Sequence, residues 1–326
     1  MSTVGATGEA ARRPFPGRRA RLGDVLLQGV AGLAALGAFV LICLIAYKVV
    51  DGSRLSLSTF GLGFLRHVGW DPVHNRLGGA SFLFGTAATS LGALLLATPL
   101  ALGIALYLTE LAPRWIRGPV TALVETLAAI PSVVIGLWGV IVLGPVLHDH
   151  VMPALHSTLG FIPVLGTPSA TGTGIFTATI VLTIMILPIV SSISCELFLG
   201  VPAELKDAAL GLGATRWEMV RGVVVPYARG GVAAAMILGL GRAVGEAIAV
   251  AQVIGGVDNL VSWNLFNGGN TLAGKIALEF QSSTSSLETS SLFYLALILL
   301  VFSLVMNVFA QVVVRRVARR QGLVAR

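Results

Sequence analysis

Two oppositely charged residues, Arg242 and Glu246, stand in an otherwise apolar stretch of the chain. A charged side chain near the centre of a bilayer costs about 2.5 to 3.5 kcal/mol on insertion scales, so such a residue is rarely without a role. If the stretch is helical, a spacing of four places both side chains on one face, one turn apart. The guanidinium of Arg242 has several donors that match the oxygens of an oxyanion, and Glu246 can hold the arginine or exchange it for a passing anion. The spacing also fits an ion pair that only fixes helix packing, so two roles stay open.

The composition shows what kind of chain must position these residues. Of its 326 residues, 55% are hydrophobic and 11% are charged, whereas about a quarter of a soluble domain is charged. This excludes a self-contained soluble enzyme. Cys43 and Cys195 both lie in apolar segments, which argues against a disulfide framework and a paired-cysteine metal site. We therefore expect no catalytic residues, and no metal site either.

Six apolar stretches are long enough to cross a bilayer, since a spanning helix needs about 20 apolar residues. The first follows a basic N-terminal stretch and is longer than the apolar region of a signal peptide, so we interpret it as a retained anchor. The sequence predicts an all-α, polytopic membrane protein with six transmembrane helices. They are expected at residues 25–48, 83–108, 120–147, 173–198, 230–255 and 291–313.

The distribution of the 22 Lys and Arg residues predicts the orientation, because cationic loops are retained in the cytoplasm. Most of them fall on the side that holds the basic tails 1–24 and 314–326 and the loop 201–226. Both termini are therefore expected to be cytoplasmic. This topology, with anionic lipid headgroups, accounts for the formal net charge of +7, so we predict no nucleic-acid partner.

The loop from Val201 to Pro226 is too polar to cross the membrane and is patterned like two short helices. Glu204 lies favourably near the positive end of the first helix, and Gly213 breaks the pattern after it. Thr215 and Glu218, three residues apart, can form a capping box for the second helix. The loop is therefore predicted to be a helix–turn–helix at the membrane surface, in which Pro226 closes the second helix or redirects it into the next span.

This loop resembles the EAA loop of ABC-importer permeases. Its residue types and spacing are matched, with Asp in place of the usual Glu, at Asp207, Ala208, Ala209, Gly213 and Pro226. In that family the loop docks into a groove of a cytoplasmic ATPase and carries its motion to the transmembrane helices. The resemblance implies the type I importer permease (MetI-like) fold, with a core over 83–313 that follows one helix and an external loop over 25–82. It also assigns the residues above, together with Glu204, to coupling with the ATPase.

Three further strings look like those of phosphate-specific permeases of the PstC type. They are WDP at Trp70 to Pro72, ETLAAIPSVVIGLWG at Glu125 to Gly139 and GRAVGE at Gly241 to Glu246. The resemblance favours a solute pathway at Arg242 and Glu246 over a packing role. It implies a permease subunit in the plasma membrane of a prokaryote, without enzymatic activity of its own, that moves inorganic phosphate into the cytoplasm.

The same resemblance implies the partners. They are a second, PstA-like permease chain, two PstB-like ATPase subunits and a PstS-like external phosphate-binding protein. ATP would be used by the ATPase, with no cofactor in this chain.

The string GNTLAGK at Gly269 to Lys275 fits part of a phosphate-binding loop, but Ile276 stands where Ser or Thr is required. The remaining alternatives are a permease for sulfate or molybdate and, from another class, a secondary transporter or channel.

Overall fold

The computed structural model describes residues 19–319, and the predicted basic tails 1–24 and 314–326 lie largely outside this range. The chain divides into two compact units, Met1–Lys48 and Val49–Arg326. The first unit, where described, is helical, and the second contains the remaining helices and one short hairpin. Because nearly all of the regular structure is helical, the all-α prediction is confirmed.

Helices make up nearly all of the regular structure. Their bounds are α1 Arg19–Phe60, α2 Ala80–Leu106, α3 Arg114–Ala129, α4 Ser132–Trp138, α5 Gly144–Val146, α6 Met152–Leu159, α7 Ile175–Leu199, α8 Ala203–Gly211, α9 Arg216–Met219, α10 Val225–Gly245, α11 Ile248–Val253, α12 Leu272–Glu279 and α13 Ser286–Arg319. Two short antiparallel strands form a hairpin, with Trp70–Asp71 (β1) opposite Arg76–Leu77 (β2). Wider π-helical turns extend α2 over Tyr107–Leu111, join α4 to α6 and join α9 to α10.

Within residues 19–319, six helical stretches are long and apolar enough to cross a bilayer, as predicted. We number them span one to span six in chain order. They are Gly23–Leu65, Ala80–Leu111, Ser132–Leu159, Ile175–Leu199, Arg216–Gly245 and Ser286–Val312.

Span three differs from the prediction of 120–147. Helix α3 ends at Ala129, Ile130 and Pro131 are extended with ψ of 128° and 137°, and a new helix starts at Ser132. A residue that precedes proline is driven out of the helical region by the proline ring, which explains the break. Glu125 therefore lies exposed on a separate helix rather than at the end of the span.

Span five differs from the prediction of 230–255 at both ends. Pro226 does not close the second loop helix, because the helix continues from α9 through the π-helical turn Val220–Val224 into α10. Proline lacks a backbone N–H, and a local widening of the helix accommodates that loss. At the other end the helix stops at Gly245, ten residues before the predicted limit.

Span four, helix α7, is the centre of the bundle. In the most apolar part of this span 67% of the residues are buried, whereas the corresponding share is 28% or less in each of the other spans. It packs against α2, which turns a row of fully buried alanines inward at Ala93, Ala97, Ala101 and Ala105. Side chains this small let helix backbones approach closely. At Gly92 even a methyl group would lie 2.9 Å from Cγ2 of Thr179, so the two spans are in close contact.

Candidate functional site

An open cavity of about 720 Å³ lies beside α10. Most of its lining is apolar, and its polar lining comes from Arg242, Glu246 and Asn307. Arg242 is exposed on the last turn of α10, Glu246 is half-buried just beyond that turn, and Asn307 lies on α13. Guanidinium and amide N–H groups are donors for the oxygens of a small anion. The cavity therefore provides hydrogen-bond donors from two spans that can bind an anion.

The predicted placement of Arg242 and Glu246 on one helix face, one turn apart, is wrong. Glu246 lies past the end of α10 in extended backbone, with φ −73° and ψ 119°. Among the side chains that the structure describes, no ion pair joins these two residues within 4.0 Å. Instead, Oε1 of Glu246 accepts a hydrogen bond from the backbone N–H of Ala249 at 3.3 Å. The first N–H groups of a helix have no partner within it, so Glu246 stabilises the start of α11 while Arg242 faces the cavity.

Asn307 is a cavity residue that the sequence analysis missed. It stands in the apolar run FSLVMNVFA of span six, where an amide is as unexpected as the charges of span five. Polar side chains within a span usually face the interior of the bundle or a water-filled cavity. That rule, applied to neutral amides as well as to charges, would have found it.

The loop between spans four and five has the predicted helix–turn–helix structure. Helices α8 and α9 are separated by a turn in which Gly213 has a φ of +89°, a left-handed conformation that favours glycine. The capping box is present: Thr215 Oγ1 accepts from the backbone N–H of Glu218 at 3.3 Å, and the Glu218 carboxylate accepts from the backbone N–H of Thr215 at 2.8 Å. We call residues 201–226 the coupling loop, after the role that the resemblance implies for them.

The residues predicted to contact an ATPase are divided between the two sides of this loop. Ala209 packs against a buried cluster at the ends of spans two, four and five, and Pro226 lies in the first turn of α10. Exposed members are Glu204, Asp207, Ala208 and Gly213. Beside them, Leu212 is 90% and Trp217 is 67% exposed. The exposed surface of the coupling loop is thus a mixture of charged and apolar side chains.

A buried ion pair fastens the coupling loop to the bundle. The ammonium nitrogen of Lys206, on α8, lies 2.6 Å from Oε1 of Glu110 in the π-helical turn after α2. The two side chains are only 18% and 9% exposed. Nothing in the local sequence predicts this contact, because the partners are 96 residues apart.

The string Gly269–Lys275 has a structural role at the opposite end of the bundle. Thr271 caps the N-terminus of α12 by accepting from the backbone N–H of Gly274 at 3.1 Å. Lys275 is 1% exposed and forms ion pairs with Asp258 and Glu279. Its ammonium also lies 5.1 Å from the ring centroid of Trp70 in the WDP string, within cation–π range. The residues that resemble a phosphate-binding loop therefore hold the loop after α11 onto the β1–β2 hairpin.

Six spans with a helix–turn–helix loop between spans four and five fit the membrane subunit of a binding-protein-dependent transport system. Residues 97–319 match the family described as binding-protein-dependent transport system inner membrane component. The chain belongs to this family and, within it, to the PstC-type permeases, as its relatives show. It is a multi-pass protein of the bacterial plasma membrane.

Curated relatives match almost the whole chain. The phosphate transport system permease protein PstC of Xylella fastidiosa is 42% identical over 295 residues, which cover 89% of this chain and 90% of the relative. PstC of Mesorhizobium japonicum is 41% identical over 94% of each chain. PstC 2 of Mycobacterium tuberculosis is 40% identical over 91% of this chain and 93% of its own.

Solved structures share the fold at low identity. A bacterial ABC transporter for the import of alginate aligns with a TM-score of 0.59 at 16% identity, over 91% of this chain and 99% of its own. The inward-facing MetNI methionine ABC transporter aligns with a TM-score of 0.53 at 18% identity, over 73% of this chain and 95% of its own. The predicted MetI-like permease fold is confirmed.

Proposed function

We propose that this chain is the permease subunit of an ATP-driven importer that moves inorganic phosphate into the cytoplasm. The observation that carries the proposal is the similarity to PstC proteins along about nine tenths of both chains. The 720 Å³ cavity beside α10 adds a physical argument, because it holds an arginine at the end of a span. An intramembrane cation is costly and usually marks a solute or ion pathway.

Arg242 and Glu246 form the solute pathway in this proposal, with Asn307 as a third contact. The guanidinium binds two phosphate oxygens in parallel, which gives a directional and charge-assisted contact. Glu246 repels the anion and so keeps the complex weak enough for release. Because the cavity is open on the surface of this single chain, a second, PstA-like permease chain is expected to close it.

The coupling loop is the docking surface for PstB-like ATPase subunits in this proposal. Glu204, Asp207 and Ala208 lie on its exposed side, next to the apolar side chains of Leu212 and Trp217. ATP is bound and hydrolysed by those subunits, and this chain needs no cofactor. The loop and both termini then lie in the cytoplasm, and a PstS-like binding protein delivers phosphate to the opposite face. Residues 83–313 form the permease core, which alternates between outward-open and inward-open states.

Uptake of labelled phosphate at low concentration tests the proposal, in cells with and without the gene and before and after ATP depletion. Sulfate and molybdate are added as competitors. Loss of ATP-dependent phosphate uptake on deletion, unaffected by the competitors, supports the phosphate permease. Normal phosphate uptake with loss of sulfate or molybdate uptake would replace the solute, and uptake that survives ATP depletion would favour a secondary transporter.

A further inference from the structure

The ammonium group of Lys206 connects three elements of the fold at one point. It lies on α8 of the coupling loop, donates to Oε1 of Glu110 at 2.6 Å and donates to the backbone carbonyl of Phe198 at 3.2 Å. Glu110 lies at the end of span two, and Phe198 in the last turn of span four. One side chain therefore joins the coupling loop to both spans.

Each contact of Lys206 has a physical reason. The last four carbonyl groups of a helix, Phe198 among them here, have no partner within the helix. A cation at this position is also attracted to the negative end of the helix dipole. Glu110 supplies the countercharge that lets an ammonium group lie in an 18% exposed position. The arrangement satisfies all three groups and fixes the position of α8 in more than one direction.

The ion pair is not the only contact that holds the loop against the bundle. Replacing a buried ion pair by uncharged residues of similar size is often neutral for stability or even favourable. Apolar side chains of the loop also hold it against the bundle: Met219 and Val220 belong to the buried cluster that contains Phe198, and Ala209 packs against that cluster. These contacts are non-directional, so they permit sliding, whereas a short charge-assisted hydrogen bond does not.

We propose that Lys206 and Glu110 are positioning residues for energy coupling: their ion pair makes α8 move together with the cytoplasmic ends of spans two and four. The inference rests on the proposed function, since it needs an ATPase that displaces the coupling loop. Without the pair, ATPase closure moves α8 along the bundle surface and the spans do not follow in step. ATP is then hydrolysed without the matching solute movement.

The test compares transport with ATP hydrolysis in the complete complex, reconstituted in liposomes with its ATPase and external binding protein. The variant is Lys206→Met with Glu110→Gln, which removes both charges at nearly constant volume. The matched control is Asp51→Asn with Arg54→Gln, which neutralises an exposed pair 3.4 Å apart at the other end of the bundle. We expect labelled phosphate moved per ATP hydrolysed to fall about tenfold in the variant, within the range of coupling between two sites, and to stay unchanged in the control.

A purely structural role predicts something different. A neutral variant that assembles in normal amount and keeps the wild-type ratio would overturn the proposal. If the neutral variant fails to assemble, the single variant Glu110→Gln decides, because it removes the ion pair and keeps the contact of Lys206 with the Phe198 carbonyl. Assembly with a lowered ratio supports the proposal, and assembly with the wild-type ratio contradicts it.

The assay also separates this proposal from the proposed solute. Sulfate and molybdate are tested beside phosphate, and the ratio is formed with the anion that the wild-type complex moves. Transport of sulfate alone would reject phosphate as the solute and still test the ion pair. A wild-type complex whose ATP hydrolysis is linked to none of the three anions would overturn both proposals.

Discussion

The ammonium nitrogen of Lys275 lies 2.5 Å from Oδ2 of Asp258, although the two residues are 17 positions apart and belong to different segments. Asp258 also accepts a hydrogen bond from the side-chain amide of Asn270 at 3.0 Å, and its backbone carbonyl accepts one from Ser81 at 2.6 Å. A single buried lysine therefore organises the end of the bundle that carries the β1–β2 hairpin.

Substitution of this lysine, Lys275→Met, is expected to destabilise the protein. It leaves Asp258 and Glu279 without their shared countercharge, and removal of one partner of a buried pair costs about 3 to 5 kcal/mol. The two carboxylates are 23% and 31% exposed, so we expect a cost near the lower limit, about 3 kcal/mol. Thermal unfolding in detergent measures it. The control is Arg76→Met, an exposed cation on β2, and an equal loss in both variants would contradict the role of burial.

Arg242→Gln is expected to reduce phosphate uptake about 10- to 100-fold, because hydrogen bonds to a charged group contribute about 1.5 to 3 kcal/mol each. Arg242→Lys keeps the charge but loses the forked donor geometry, so it should restore uptake in part. Uptake of labelled phosphate at equal membrane expression measures both. Arg66→Gln, at an exposed position between α1 and β1, is the control, and normal uptake by Arg242→Gln would exclude Arg242 from the pathway.

Glu246 has two roles that substitutions can separate. Glu246→Gln keeps an acceptor for the N–H of Ala249 but loses the charge, so we expect reduced phosphate uptake with an unchanged Tm. Glu246→Ala loses both, and a typical intramolecular hydrogen bond contributes about 0.5 to 1.5 kcal/mol, so we expect a lower Tm as well. Thermal unfolding and uptake are measured on the same preparations. A Gln variant with normal uptake would leave Glu246 only its structural role.

Gly213 and Gly211 give a matched pair in the coupling loop. A Cβ at either position meets no atom within 4 Å, but only Gly213 has a positive φ, +89°. Gly213→Ala is therefore expected to destabilise the turn by about 1 to 2 kcal/mol and to weaken ATPase binding. Gly211→Ala, at the end of α8, should be neutral or slightly stabilising. Titration of purified permease with ATPase measures binding, and equal effects of the two alanines would show that backbone conformation does not matter here.

Features encoded in short stretches of sequence were predictable. Six spans follow from the length of apolar runs, and the turn at Gly213 with the Thr215–Glu218 capping box follows from residue types three to five positions apart. The limits of spans three and five did not follow. Pro131 and Glu246 lie within apolar runs that hydropathy reads as continuous, whereas the backbone breaks beside each of them.

Contacts between distant residues were not predictable from local patterns. Lys206 and Glu110 each look like an ordinary charge near a membrane surface, and only the packing of α8 against spans two and four brings them together. Lys275 even suggested a different chemistry, because its string imitates a phosphate-binding loop. For Arg242 and Glu246, the sequence placed both residues in one region and predicted that both lie on one helix. The helix in the structure ends at Gly245, one residue before Glu246.

The row of buried alanines on span two determines how closely the helices approach but not their register. Ala93, Ala97, Ala101 and Ala105 repeat every four residues, so a shift of about 6 Å along the helix axis, four residues at about 1.5 Å each, would bring one methyl group where another had been. The alanine row alone therefore does not oppose a shift of α2 along its own axis. Register must then be set at the ends of the helix, by the hydrogen bond from the N–H of Leu272 to Thr86 at 2.9 Å on one side and by Glu110 on the other. The axial position of span two is thus set by contacts near its two ends. A change at either end can therefore shift the whole helix along its axis.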